Sequence, residues 1–238
     1  RINMNKSDLK RDYYMLKGPL AEKGYDWWWH SLTAYNKKTG EERPFFIEYF
    51  VCNPALAEEE PTLGQLPENQ KTGKKPSYCM IKAGTWGKNP KQIHNFYSMK
   101  YFNCPDYELN IQVGDCSLTE THMSGFARVS EEDVKNHPEY MCDAGDMMWD
   151  LDIDKQITFN VGYGASSIFR KLNSFEMFWH AEGIKTQYSG TIWLDGEEYE
   201  VIPENHMVML IKTGEGILPL HGYGFHHAIW PVLYLVKN

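Results

Sequence analysis

The 238-residue sequence has no apolar run near the ~20 residues that a membrane-spanning helix needs. No basic-then-apolar leader opens it, and its first residue is Arg1, with Met4 the natural start. A cytoplasmic location and no transmembrane segment are the expectations. Basic charge is scarce: 24 Lys and Arg stand against 32 Asp and Glu, a net charge of −8. That excludes nucleic-acid binding through a broad basic surface, and docking on anionic lipid by charge alone. No CxxC pair occurs. The five cysteines, Cys52, Cys79, Cys104, Cys116 and Cys142, are odd in number and widely spaced, which points to free thiols in a reduced compartment. A P-loop, a GxGxxG before a helix, HExxH and GxSxG are all absent, and Gly162-Tyr163-Gly164 reads as a turn. The expectation is no cofactor and no metal. There is no internal repeat.

What the chain does have is aromatic residues: 8 Trp, 15 Tyr and 11 Phe, or 14%. With 19 Gly and 12 Pro, they suggest many strands and turns. Residues 1–24 read as a polar arm. Tyr25 to Tyr35 and Phe45 to Cys52 read as a hairpin around NKKTGEE, followed by a long loop at 53–76 with four prolines. Further strands are expected at Ser77–Ala83, Tyr107–Val113, Ser117–Val129, Trp149–Ile153, Gln156–Val161, Phe175–Thr186, Tyr188–Leu194 and Glu198–Ile202. Asp195-Gly196 marks a hairpin, and Ser130 caps a short helix that Pro138 limits. Short strands without alternating long helices argue for an all-β barrel or sandwich.

Residues 206–238 differ from the body. Their one acidic residue is Glu215, they hold His206, His221, His226 and His227, and no strand alternation or helical stripe organises them. Codon degeneracy allows a frame starting on the third base of the His206 codon to read YGYADKNWGRDFTSPWVWLSSCN without a stop.

The body resembles the tocopherol cyclase-like family. The resembling segments are GPLAEKGYDWWWHSLTAYNKKTGEERPFFIEYFVCNP (18–54), GQLPENQKTGKKPSYCMIKAG (64–84), LTETHMSGFARVS (118–130) and MFWHAEGIKTQYSGTIWLDGEEYEVIPE (177–204). In that family the last segment leads into a YxYADKNWG block, which this chain lacks and the shifted frame restores. The resemblance therefore identifies 206–238 as a frameshifted tail on a truncated member. It implies two lipocalin-like barrels in tandem, similar to carotenoid hydratases. The first would lie at 25–170 with an aromatic-lined cavity, and 171–205 would open an incomplete second barrel. It also implies cofactor-free, proton-initiated cyclisation or hydration of a prenylated or polyene lipid. This chain is then expected to be an inactive fragment. The alternative is a lipocalin-like module that binds an apolar ligand without chemistry. An unpaired half-barrel would expose edge strands for self-association.

Such chemistry needs an acid kept protonated by an apolar site, with aromatic faces near the cation. The family's acid candidate, the Asp of YADKNWG, is absent. Asp152, Asp154 and Asp195 read as turn-flanking carboxylates. The remaining acid–base candidates are Glu48, Glu182 and His180. Ligand-wall candidates are Trp27, Trp29, Trp179, Tyr49 and His122. Strand alternation sets Trp27 and Trp29 on one face and Trp28 and His30 on the other. Each face is either core filling or ligand wall. Glu48 is either an outward solvated residue or an inward acid raised by desolvation. Glu120 and His122 are open between a polar rim, a hydrogen-bonded core pair and catalysis.

Overall fold

The computed structural model describes residues 12–56, 59–159, 178–203 and 208–214; for 158–159, 178–182, 184 and 208–214 only the backbone is described. In chain order the strands are β1 (Tyr25–Asn36), β2 (Glu42–Cys52), β3 (Tyr78–Thr85), β4 (Lys91–Tyr97), β5 (Phe102–Asn103), β6 (Asn110–Val113), β7 (Cys116–Thr119), β8 (His122–Val129), β9 (Gly145–Phe159), β10 (Phe178–Leu194), β11 (Glu197–Val201) and β12 (Val208–Gly214). They form one antiparallel sheet in the order β4-β3-β2-β1-β11-β10-β9-β8-β7-β6-β5, with β12 beside β1 and β10. The sheet curls into a nearly closed, lipocalin-like all-β barrel.

Alternation in sequence sets the two faces of the wall. Along all of β1, half-buried and buried residues alternate. Trp28, His30, Leu32 and Ala34 face inward, as do Phe45, Ile47, Tyr49 and Val51 of β2. Trp28 pairs across the ladder with Tyr49, and Trp29 with Glu48. Trp28, Tyr49, Leu118, Met123, Trp149 and Tyr188 are all buried at 2% exposure or less. Large side chains therefore fill the centre. Among the described residues these side chains pack the inward face, while Trp27 and Trp29 stand on the other face of β1.

At the β4 end of the hydrogen-bonded path the edge is not left bare. Asn95 of β4 acts as a strand surrogate: its Nδ2 donates to the Arg128 carbonyl, and its Oδ1 accepts from the Arg128 amide, each at 2.8 Å. Farther along, the Gln92 amide donates to Asp143 Oδ2 at 2.8 Å, and the Gln92 carbonyl accepts from the Asp143 amide at 2.7 Å. Side chains thus cover the β4 edge that an open sheet would offer to another chain.

Several boundaries differ from the sequence reading. The two strands expected at 149–161 are one strand, β9, and those at 175–194 are one strand, β10. Register shifts near Lys185 let β10 stay paired along β9 while its other edge passes from β12 to β11. Gly190 sits at that passage with φ +134°, and a Cβ there would meet the Asp150 carbonyl oxygen at 2.1 Å. Thus β10 and β11 belong to the same sheet as β1. Strand β4 was not expected, since KQIHNFY alternates too weakly to announce itself. Residues 208–214, where no strand was expected, form β12 against Asp26–His30. The long loop contains a short helix, α1 (Pro67–Thr72). The Asp195-Gly196 turn joins β10 to β11 with both residues at positive φ, as its sequence demands. Ser130 caps α2 (Glu131–Asn136) in a reciprocal capping box with Asp133.

Candidate functional site

Three of the sequence candidates meet on the outside of the barrel. Outward residues of β1 to β4 line up in rows across the sheet: Trp29, Glu48, Lys82 and His94 in one, Trp27, Phe50, Met80 and Phe96 in the next. The rings form a plate in two groups. Trp29 stacks on Phe46 at 5.0 Å with 4° between planes, and Trp86 stacks on both. Trp27 begins the second group, which runs through Phe50, Tyr78 and Phe96 to Tyr140. Gly84 makes this possible. It faces Phe46 across the ladder, and a Cβ there would come within 2.9 Å of the Phe46 ring and 2.0 Å of the Lys91 carbonyl oxygen.

Glu48 lies inside this plate. It is on the outward face but 5% exposed, with Trp29 and Lys82 as its ladder partners and Phe46 and Phe50 beside it along β2. Burial raises its carboxyl above the usual range, and the Lys82 ammonium, 3.5 Å away, opposes the shift without cancelling it. Lys82 also stands 5.6 Å from the centre of the Trp29 ring, a cation–π arrangement. Its other ladder neighbour, His94, is pushed down to about 4, by burial first and then by the Lys82 charge. The face therefore combines half-exposed rings with one desolvated carboxyl and one cation.

Of the other candidates, the two whose side chains are described stand elsewhere. Tyr49 points into the core, and its hydroxyl donates to the Ser117 carbonyl at 2.7 Å. His122 is on the exposed side of β8, between Asp152 at 3.0 Å and Asp150 at 3.3 Å. Trp179, His180 and Glu182 lie in β10, and their side chains fall outside the described residues.

A second polar cluster, only partly visible in the sequence, occupies one end of the barrel. Residues 12–17 form a strap across it. Asp12 is fully buried; its carboxylate accepts from Lys155 Nζ at 3.0 Å and its carbonyl from Trp28 Nε1 at 2.8 Å. Lys155 also donates to Glu120 at 2.5 Å. The Met15 amide donates to Asp26, and Leu16 enters the core. Glu120 is pushed up to about 7 by burial first, with Asp12 adding to the rise and Lys155 opposing it. Deeper on β1, His30 Nδ1 lies 2.8 Å from the Tyr188 hydroxyl. Burial, then the Lys155 charge, hold that imidazole well below its ordinary range, so it is neutral. Asp12, at the head of what reads as a polar arm, carries no local signal of burial. Among the described residues no group of metal-ligating side chains is assembled, and no helix is long and apolar enough to cross a membrane.

No family model matches the chain, and no curated protein matches it. A solved structure described as an AttH candidate from Nitrosomonas europaea is similar at 14% sequence identity, with a TM-score of 0.48. The likeness covers 82% of this chain and 53% of that one, so this chain spans about half the length of that protein.

Proposed function

We propose that this protein binds an apolar, isoprenoid-type ligand, a prenylated or polyene lipid, on the outer aromatic face of β1–β4. The observation that carries the reading is the stacked plate of Trp29, Phe46 and Trp86 beside the buried Glu48 carboxyl. Flat, electron-rich rings hold conjugated or prenyl chains by dispersion, and ligand sites are typically apolar with a few placed polar groups. Titrating the protein with a linear polyene and with a prenylated quinol should quench tryptophan fluorescence. Trp29→Ala should weaken binding about tenfold, the effect of losing one well-placed aromatic contact. Affinity unchanged by Trp29→Ala and Trp86→Ala together would rule out the plate.

One observation favours a second reading, in which the same face catalyses cofactor-free cyclisation or hydration. Glu48 is desolvated and raised, as a general acid for an alkene must be. Its proton would add to the double bond, the ring faces would stabilise the carbocation, and a phenol or water oxygen would capture it. The capturing group's proton would return to the Glu48 carboxylate. Lys82 at 3.5 Å favours the ionised form, and the plate is half-open to water, so binding is the leading reading. Mass spectrometry separates the two: cyclised or hydrated product that disappears in Glu48→Gln would establish catalysis.

A further inference from the structure

We propose that the barrel end under the strap is a second binding site, for an apolar carboxylic acid, and that residues 12–16 sit in it as the chain's own occupant. The strap's contacts resemble those of a bound molecule. Its carboxylate, from Asp12, meets the buried Lys155 ammonium, and a carbonyl oxygen beside it meets the Trp28 indole N–H. An aromatic ring, Tyr14, lies 5.1 Å from Phe102 and 6.4 Å from Trp28. An aliphatic group, Leu16, is 2% exposed within the core cluster.

On the barrel side Lys155 and Trp28 donate to the strap, with Glu120 and Asp26 beside them as acceptors, and His30 Nε2 is a further buried polar atom on the same face of β1 as Trp28. That nitrogen is buried and has no hydrogen-bond partner among the described residues. Its Nδ1 shares a hydrogen bond with the Tyr188 hydroxyl, and in the tautomer that accepts there Nε2 carries the proton and can donate to a ligand. A carboxylate offers about four acceptor positions on two oxygens and can meet Lys155 as Asp12 does. It would also replace Asp12 charge for charge beside Lys155 and Glu120.

An open groove of about 1070 Å³ lies beside Tyr14 of the strap, lined by Met99, Phe102 and Cys104 on its apolar side and by Glu59, Glu60 and Lys100 on its polar side. An aliphatic tail in that groove would lie against Tyr14 and Phe102, with its head entering as Asp12 withdraws. The strap is tethered, so it competes at a high effective concentration, and the unaltered chain should bind such an acid weakly. This site lies on the inner side of the sheet and does not depend on the outer aromatic face.

The test is calorimetric titration of the full chain with dodecanoate, and with dodecan-1-ol as an uncharged control of equal length. Asp12→Ala should raise dodecanoate affinity by about tenfold or more, the usual effect of removing a charge-assisted competitor, and leave dodecan-1-ol nearly unchanged. Adding Lys155→Gln should abolish that gain. Trp29→Ala should leave dodecanoate binding as it was, which keeps a failure of this site distinct from a failure of the outer face. Equal dodecanoate affinity in the unaltered and Asp12→Ala chains would overturn the proposal, as would an equal gain for the alcohol. If Lys155→Gln fails to fold, the acid-against-alcohol contrast in Asp12→Ala decides alone.

Discussion

At the scale of single residues, two carboxyls are displaced by the same physical cause with different neighbours. Glu48 is raised by burial among rings and is opposed by one lysine. Glu120 is raised to about 7 because burial is compounded by Asp12 across a shared ammonium. The sign of the linkage follows. From pH 4.5, the ordinary value, to about 7 the folded state holds a proton that the unfolded chain has released. Glu120's own contribution to stability is therefore greatest below that window and falls as pH rises through it, whereas the depressed His94 contributes in the opposite sense. Glu120→Gln should flatten this slope, which is on the order of 1–3 kcal/mol, in denaturant melts taken across the range. Gly84 supports a different prediction. Its missing side chain leaves the place where Phe46 lies, so Gly84→Val should destabilise the fold by about 2–4 kcal/mol through overpacking. The stacked tryptophan signal in near-ultraviolet circular dichroism should fall with it. An unchanged spectrum and melting temperature would show that Gly84 does not set the plate.

At the scale of elements, the seam between β4 and β8 is made by a side chain standing in for a strand. Asn95 satisfies both backbone groups of Arg128, which otherwise face the gap in the ladder. Asn95→Ala should cost about 1 kcal/mol, since the freed groups lie near solvent and water replaces part of what is lost. Amide hydrogen exchange at Arg128 should quicken while the Trp149–Gly125 pairing in the centre of the β8–β9 ladder stays protected. Uniform quickening along β8 would mean that the seam opens as a unit instead. The same logic explains β10. A strand of 17 residues keeps one partner, β9, and takes two on its other edge, and the bend falls at a glycine because no side chain fits there.

At the scale of the whole molecule, stability rests on a packed barrel without covalent cross-links, none of the five cysteines being in a disulfide. Reductant should leave the melting temperature unchanged. Burial pushes Cys79 up to about 12 and Cys116 up to about 11, so both should resist a thiol reagent until the barrel unfolds, whereas half-buried Cys104 should label in the folded protein. Rapid native labelling of Cys79 would contradict the packed centre. Much of this architecture was legible in the chain itself. The all-β class, the cap at Ser130, the Asp195-Gly196 turn and the opposition of Trp27 and Trp29 to Trp28 and His30 all follow from local chemistry with short periods. Which of those faces lies inside did not, because a period of two is the same for either sidedness and only closure of the sheet breaks the tie. Trp28 went to the core, and Trp27, Trp29 and Glu48 to the outer plate, so the sequence named residues that share a face without saying which face it is. The barrel-end cluster was less legible still. Lys155 meets Asp12 across 143 positions and Glu120 across 35, and no local pattern encodes a pairing that exists only when the strap crosses the mouth of a closed barrel.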